Sequence, residues 1–278
     1  MSMVIKKVGI LYHPQLEAAR ALADKLEKFL SSQGISAWLC SAWEEEEVRS
    51  RVSGSDLVIS IGGDGTILRV ARAVVFCSVP ILGINLGKLG FMTELGASEA
   101  LDKLPALLGS GGWIEERAML EGKSSSDIEL HALNDVVVGR GALARVVYVE
   151  TRVNNELLTT YKADGVIVAT ASGSTGYSLA AGGPILEPEA KNILLQPIAP
   201  HLSLSYAMVL PSTAVIELQV ISEVRAILSI DGQVNLPFEK GDRVKIKLSP
   251  YITRFLRTHP PSYFYSSLEE KLKGKKDN

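Results

Sequence analysis

Five residues, Gly62-Gly63-Asp64-Gly65-Thr66, combine the types needed to handle a polyphosphate. Lacking a Cβ, the glycines let backbone N–H groups approach phosphate oxygens closely. A carboxylate in such a loop repels the anion. Asp64 therefore has a use there only if it takes a proton from an attacking hydroxyl or holds a metal that shields the phosphates. The bland reading is a Gly-Asp-Gly turn with no ligand. A second pair, Asn134-Asp135, heads the apolar run Val136-Val137-Val138. It reads either as a turn into a strand or as an acceptor for two vicinal ribose hydroxyls, with the amide on a base or sugar edge. The third stretch, residues 164–184, ends an apolar run in Ser172-Gly173-Ser174-Thr175-Gly176 and continues through Tyr177 to Gly182-Gly183-Pro184. Its hydroxyls suit a base edge and its aromatic ring suits stacking, which favours a binding loop over a flexible one.

These groups need elements to carry them. Strand-like runs at 7–11, 35–39, 56–61 and 80–84 alternate with helical spacing at 16–30, 45–51 and 66–75, with Gly34 as a stop signal after the first helix. That rhythm predicts a parallel sheet with helices on its faces, an α/β domain of Rossmann-like type. It also puts the glycine loop after a buried strand and before a helix. There the positive helix end meets the carboxyl edge of the sheet, where open α/β sheets bind ligands. Beyond Gly109-Ser110-Gly111-Gly112 the pattern changes to successive strands, at 127–138, 145–153, 156–161, 165–170, 214–221, 224–230 and 243–248. This predicts an all-β, sandwich-like domain, with Asn154-Asn155 as a hairpin turn. The expected division is residues 1–112, 113–250, and a segment 251–278 that returns to pack on the first domain.

Composition bounds the function. The chain has 278 residues, a prior of about two domains, and its 29 Lys+Arg against 31 Asp+Glu give a formal net charge of −2. Near-neutral balance argues against a general grip on nucleic acid or an anionic membrane. The lysines at 271, 273, 275 and 276 read as a soluble, frayed terminus. The acidic run Glu44–Glu47 reads as a solvated helix start. Cys40 and Cys77 lack zinc-site spacing and sit among apolar residues, so both are expected to be buried. No signal peptide is apparent and no apolar run approaches the roughly 20 residues of a span, so a cytoplasmic location is expected.

Other fingerprints fail. Residues 83–88 have P-loop spacing up to Lys88, but Leu89 follows where Ser or Thr is required. No Gly-x-Gly-x-x-Gly follows the first strand, which leaves a Rossmann dehydrogenase unsupported. Ser172 stands where a nucleophile elbow needs glycine.

Taken in order, five motifs resemble the NAD kinase family over nearly the whole chain. They are Gly62-Gly63-Asp64-Gly65-Thr66, Asn134-Asp135, Gly173-Ser174-Thr175-Gly176-Tyr177-Ser178 with Gly182-Gly183-Pro184-Ile185, Pro197-Ile198-Ala199-Pro200-His201, and Asp231-Gly232-Gln233. Lipid kinases and phosphofructokinases have related glycine loops, but not the series. The resemblance implies phosphoryl transfer from ATP, with polyphosphate as another possible donor, to the 2′-hydroxyl of the adenosine ribose of NAD, giving NADP. It implies Asp64 as proton acceptor, Gly62, Gly63 and Thr66 around the phosphates, and Gly65 against the dinucleotide. Asn134 and Asp135 would hold the ribose. Further contacts would come from Arg69, Arg145, Lys162, Asp164 and Gln233, and from Ser174, Thr175, Gly176, Tyr177, Ser178, Leu179 and Ala180.

It further implies Mg²⁺ or another divalent cation carried with ATP, and a homodimer or homotetramer; the four histidines by themselves offer no metal site. Two departures stand out. Asp135 replaces the family's frequent Glu, and Thr170-Ala171-Ser172-Gly173-Ser174-Thr175 lacks the proline of the usual Thr-Pro-Thr-Gly-Ser-Thr. The expectation is a dinucleotide lying in a crevice between the two domains. The competing readings are a lipid or sugar kinase sharing the glycine loop, which leaves Asn134-Asp135 and the turn from Gly173 to Tyr177 unexplained, and a non-catalytic dinucleotide-binding module, which leaves Asp64 without a purpose. His201 could be structural or substrate-facing.

Overall fold

The computed structural model describes residues 5–87, 90–109, 111–141, 145–202 and 204–273. Lys88, Leu89, Ser110, Lys275 and Lys276, which entered the sequence reading, lie outside these. The chain forms two compact units, one of residues 1–116 with 253–278 and the other of residues 117–252.

The first unit begins β1 (Lys7–Tyr12), α1 (Glu17–Ser32), β2 (Ser36–Ser41), α2 (Glu45–Arg51), β3 (Leu57–Ile61), α3 (Asp64–Ala73) and β4 (Ile81–Asn85). It continues through β5 (Leu95–Gly96), α4 (Ala100–Leu108) and the start of β6 (Trp113–Ser124). Strands β4-β3-β1-β2 lie side by side and parallel, with β5 parallel to β4. β3 and β4 are buried at every residue, as expected of parallel strands covered on both faces. In α1 the buried positions Ala19, Leu22, Ala23, Leu26 and Leu30 recur at helical spacing and join Val8, Ile10, Leu57 and Ile59 in one core. Helix α4 escapes the sequence reading because Pro105 stands inside it. Cys40 is buried, but Cys77 is exposed, contrary to expectation. It occupies the turn that follows α3, its amide bonded to the Val74 carbonyl, and its apolar neighbours in sequence do not enclose it.

The second unit holds β7 (Glu129–Ala132), β8 (Asp135–Arg140), β9 (Val147–Val153), β10 (Glu156–Ala163), β11 (Gly165–Ala169), a short 3₁₀ turn (Gly173–Thr175) and α5 (Tyr177–Ala180). It then runs through β12 (Ile193–Ile198), β13 (Met208–Leu210), β14 (Ile216–Val220), β15 (Ala226–Ile230), β16 (Val234–Phe238) and the start of β17 (Arg243–Arg257). β10-β9-β14-β17 pair antiparallel in that order. A six-stranded antiparallel sheet runs β13-β12-β11-β8-β15-β16. The core between these layers takes Val136, Val138, Val166, Val168, Ile193 and Leu195, while Val137, Ile167, Ala169 and Leu194 face the other way. Period-two alternation thus buries the central strands β8, β11 and β12 on both faces, with Ala181 and Leu186 packed on the second. The hairpin at Asn154-Asn155 forms as predicted, both residues at positive φ (53° and 69°).

β17 is far longer than the predicted 243–248, and its end returns to the first unit, where Phe255 pairs in parallel with Ile81 of β4. The helix α6 (Tyr263–Lys273) follows. Among the described residues no helix is long and apolar enough to cross a membrane.

Candidate functional site

In the first unit β3 ends at Ile61, Gly62 and Gly63 make the turn, and α3 opens on Asp64. The Gly62 amide bonds the Ile84 carbonyl and the Thr66 amide bonds the Gly63 carbonyl, so the turn is tied to both neighbouring elements. Gly63 and Gly65 are exposed, and Thr66 is buried with its hydroxyl unpartnered among the described residues. The Asp64 carboxylate receives three consecutive backbone N–H groups: Phe91 to Oδ2 at 2.8 Å, Met92 to Oδ1 at 3.1 Å and Thr93 to Oδ1 at 3.3 Å. A carboxylate offers about four acceptor positions. Among the described residues three are taken, which leaves one on Oδ2.

Arg69, one turn along α3 on the helix surface, places its guanidinium 4.4 Å from the centre of the Trp43 ring, and Trp43 in turn meets His13 edge-on at 4.4 Å. Burial, and then the charge of Arg72, lowers the Arg69 pKa, with Glu45 opposing. The stack of Arg69 on Trp43 is not visible in sequence, since β2 and α3 bring the two together.

In the second unit the predicted strand at 127–138 is broken at Leu133-Asn134. The cause is Asp231, whose carboxylate takes the N–H groups of Leu133 (3.1 Å), Asn134 (2.8 Å) and Asp135 (3.1 Å), so these amides bond a side chain from the chain segment after β15. Asp231 holds φ 51° and Gly232 φ 64°, and the Asp231 amide bonds the Asp135 carbonyl. The two carboxylates, 5% and 7% exposed, are neighbours. Burial first, and then the charge of Asp231, pushes Asp135 up to about 7.

The loop after β11 closes over this place. Thr170 Oγ1 donates to the Leu133 carbonyl at 2.6 Å, the Thr170 amide donates to the Asn134 carbonyl, and the Gly173 amide donates to Thr170 Oγ1. A Cβ on Gly173 would overlap the Asn134 carbonyl, so only glycine fits. Ser174 Oγ donates to Ala171 and accepts from Leu186, and Thr175 Oγ1 donates to Ser172. These hydroxyls of the expected binding turn therefore serve the turn itself. Among the described residues Ser178 Oγ and Asn134 Oδ1 are buried without a partner. A cleft of about 280 Å³ is lined by Asn134, Asp135, Val137, Tyr177, Ser229, Asp231 and Gly232.

The structure thus brings Asn134, Asp135 and Tyr177 to one cleft and adds Asp231 and Ser229, to which no role was assigned from sequence. The Asp-Gly dipeptide with its turn propensity was the available signal. Gly176 lies beside Asn134, Ala180 is exposed and Leu179 half-buried. Gln233 is half-buried, its amide on the Ile230 carbonyl. Lys162, Asp164 and Arg145 do not line this cleft. Lys162 Nζ lies 5.7 Å from the centre of the Tyr148 ring, Asp164 pairs with Arg140 at 3.1 Å, and Arg145 is exposed. His201 is exposed and its amide bonds the Lys162 carbonyl at 2.7 Å.

Among the described residues Cys40, Glu44 and Glu47 gather three potential metal-ligand atoms within 4.8 Å. The Cys40 thiol donates to Glu44, and burial above all pushes it up to about 12.

Residues 10–111 match the model of the ATP-NAD kinase N-terminal domain, and residues 133–258 that of the ATP-NAD kinase C-terminal domain. The NAD kinase of Dehalococcoides mccartyi (strain CBDB1) is 46% identical over 278 residues, covering 98% of each chain. The NAD kinase of Chloroflexus aurantiacus is 38% identical over 97% of this chain and 99% of its own. Among solved structures, yeast NADH kinase complexed with NADH matches with a TM-score of 0.84 at 25% identity, covering 99% of this chain and 89% of that one. An NAD kinase from Archaeoglobus fulgidus in complex with ATP matches with a TM-score of 0.78 at 27% identity, covering 96% and 98%.

Proposed function

The chain belongs to the NAD kinase family, and from that premise we propose that it transfers the γ-phosphoryl group of ATP to the 2′-hydroxyl of the adenosine ribose of NAD, giving NADP. The observation that carries the reading is the Asp64 carboxylate, held on three amides at the first turn of α3, with one acceptor position on Oδ2 left open among the described residues. A group that only bound phosphates would gain nothing from a negative charge there. As acceptor of the 2′-hydroxyl proton it needs that single position, and its orientation is fixed before substrate arrives. Phosphoryl transfer passes through a loose transition state, so positioning outweighs basicity.

ATP enters with Mg²⁺ as part of the substrate, and its phosphates meet Gly62, Gly63 and Thr66 at the positive end of α3. Gly65 lies against the dinucleotide. Asn134 and Asp135 hold the ribose hydroxyls, and the exposed ring of Tyr177 gives a base a stacking face. Ser174, Thr175, Gly176, Ser178, Leu179 and Ala180 shape that side of the pocket, and Arg69, Arg145, Lys162, Asp164 and Gln233 supply further contacts. The exposed Leu202, Leu204, Tyr206 and Val209 give the second unit an apolar surface for another copy of the chain, in keeping with a homodimer or homotetramer. Two free thiols fit the reducing cytoplasm.

The test is to incubate the purified protein with NAD, Mg²⁺ and either ATP or polyphosphate and to assay NADP, with diacylglycerol as the alternative acceptor. NADP formation is expected with ATP. Phosphorylated diacylglycerol without NADP would overturn the reading.

A further inference from the structure

A buried ionic chain in the first unit ends on Asp64. Arg257, the last residue of β17, is 7% exposed, and its guanidinium is divided among three acceptors. Nε and Nη2 lie 2.7 and 2.6 Å from Glu115, while Nη1 donates to the Met92 carbonyl at 2.8 Å and meets Glu94 at 3.2 Å. Glu94, itself 5% exposed, also accepts from the amide and hydroxyl of Thr258, both at 2.7 Å, and from the amide of His259 at 2.9 Å. The His259 ring reaches it through Nδ1 at 2.8 Å. Burial taken alone raises the Glu94 pKa. Arg257, the Thr258 hydroxyl and the two amides outweigh burial and hold it down at about 2.

The Met92–Thr93 peptide carries both ends of the link. Its carbonyl accepts from Arg257, and its N–H donates to Asp64. A peptide polarised by a cation at oxygen is a stronger donor at nitrogen. The fit is close: a Cβ on Gly90 would overlap the Asp64 carboxylate, and the Gly90 amide is itself tied to Thr93 Oγ1 at 2.8 Å. The segment that orients Asp64 thus touches it on one side and a fixed cation on the other.

We propose that Arg257, with Glu94 and Glu115 as its counter-ions, is a positioning residue for Asp64, holding the 91–93 amides so that the carboxylate keeps one orientation as the acceptor hydroxyl arrives. This rests on Asp64 being the proton acceptor proposed above. Arg257 acts on Asp64 through the Met92–Thr93 peptide and not through substrate. Lysine at the same place keeps the charge but cannot serve Glu115, Glu94 and the Met92 carbonyl in one plane.

The test is a kinetic double-mutant cycle. NADP formation is measured with NAD and Mg-ATP varied for the wild type, Arg257→Lys, Asp64→Asn and the double variant, and urea unfolding checks that each is folded. Arg257→Lys should lower kcat about 10-fold with KM for NAD changed less than about twofold, as expected of lost orientation. In the Asp64→Asn background it should lower kcat no further. An equal loss in both backgrounds, or full kcat in Arg257→Lys, overturns the inference and leaves Asp64 in place. Wild-type turnover in Asp64→Asn overturns the reading of Asp64 itself. Should Arg257→Lys fail to fold, Glu115→Gln, which keeps shape and an acceptor oxygen, enters the same cycle with an expected loss of about threefold.

Discussion

In the unit of residues 1–116 and 253–278, the amides of Phe91, Met92 and Thr93 point at Asp64; in the unit of residues 117–252, those of Leu133, Asn134 and Asp135 point at Asp231. The device is the same and its use is not. In the first unit the amide-held carboxylate is the one assigned to chemistry, and a buried cation braces the segment that holds it. In the second the held carboxylate is the neighbour. The cleft-lining Asp135 receives the burial and the repulsion and is pushed up to about 7, whereas Glu94, beside Arg257, is held at about 2. Two buried carboxylates, both about as inaccessible to water, differ by the cations and donors around them. One is kept ionised to organise structure. The other is left near its titration point, facing the cleft.

The largest expected effect comes from Asp231→Ala, which leaves three amides unpaired at about 1–3 kcal/mol each, partly offset by relief at Asp135. The net loss should be about 4 kcal/mol, read from the urea midpoint, with weakened NAD binding because Asn134 and Asp135 lose their anchor. Next is acid stability. Since the folded pKa of Glu94 lies below the ordinary value of 4.5, it contributes stability that is complete above about pH 4.5 and is lost as pH falls toward about 2. This contribution is on the order of 3 kcal/mol. Urea titrations between those limits should show the loss, and Glu94→Gln should flatten it.

Asp64→Asn should lower kcat about 100-fold or more, equivalent to about 2.7 kcal/mol of barrier. In this variant Oδ1 can still serve Met92 and Thr93, but an NH₂ faces the Phe91 amide. A stability cost of about 1 kcal/mol should therefore accompany the kinetic loss, short of unfolding. The smallest effect is on binding. Because the folded pKa of Asp135 is raised, its charged form is scarce below about pH 7, and ionisation costs stability as pH rises from 3.8 through about 7. A carboxylate accepting two ribose hydroxyls binds better when charged, so KM for NAD should fall several-fold between pH 6 and 8, on the order of what one lost charge-assisted bond permits. Asp135→Asn should abolish that dependence.

Local features were readable from the chain itself. The glycine loop, the strand before it and the helix after it are adjacent in sequence, and burial periodicity with helix-start chemistry places them without any distant contact. The hairpin at Asn154-Asn155 is equally local. Asn134-Asp135 could be read either as a turn or as a ribose acceptor, because the residue that decides the matter, Asp231, stands 97 positions from Asn134. Cys77 shows the converse error: Val74, Val75 and Phe76 suggested a buried setting, but the turn after α3 leaves it exposed. The link from Glu94 to Arg257 spans 163 positions and joins residues that carry no motif.

Sequence alone determined the types: a carboxylate among glycines, a polar pair heading a strand, a hydroxyl-rich turn, and the change from alternating α and β patterns to successive strands. These follow from backbone sterics, side-chain periodicity and the chemistry of each group, all of which act over a few residues. Only the tertiary structure decided which carboxylates are satisfied and which are not. That depends on the donors and cations that strands from distant parts of the chain bring alongside, and on the water their packing removes. Asp64 and Asp135 are the same residue by type. The amides of residues 91–93, with Arg257 behind them, and the burial of Asp135 beside the charge of Asp231 make them different groups.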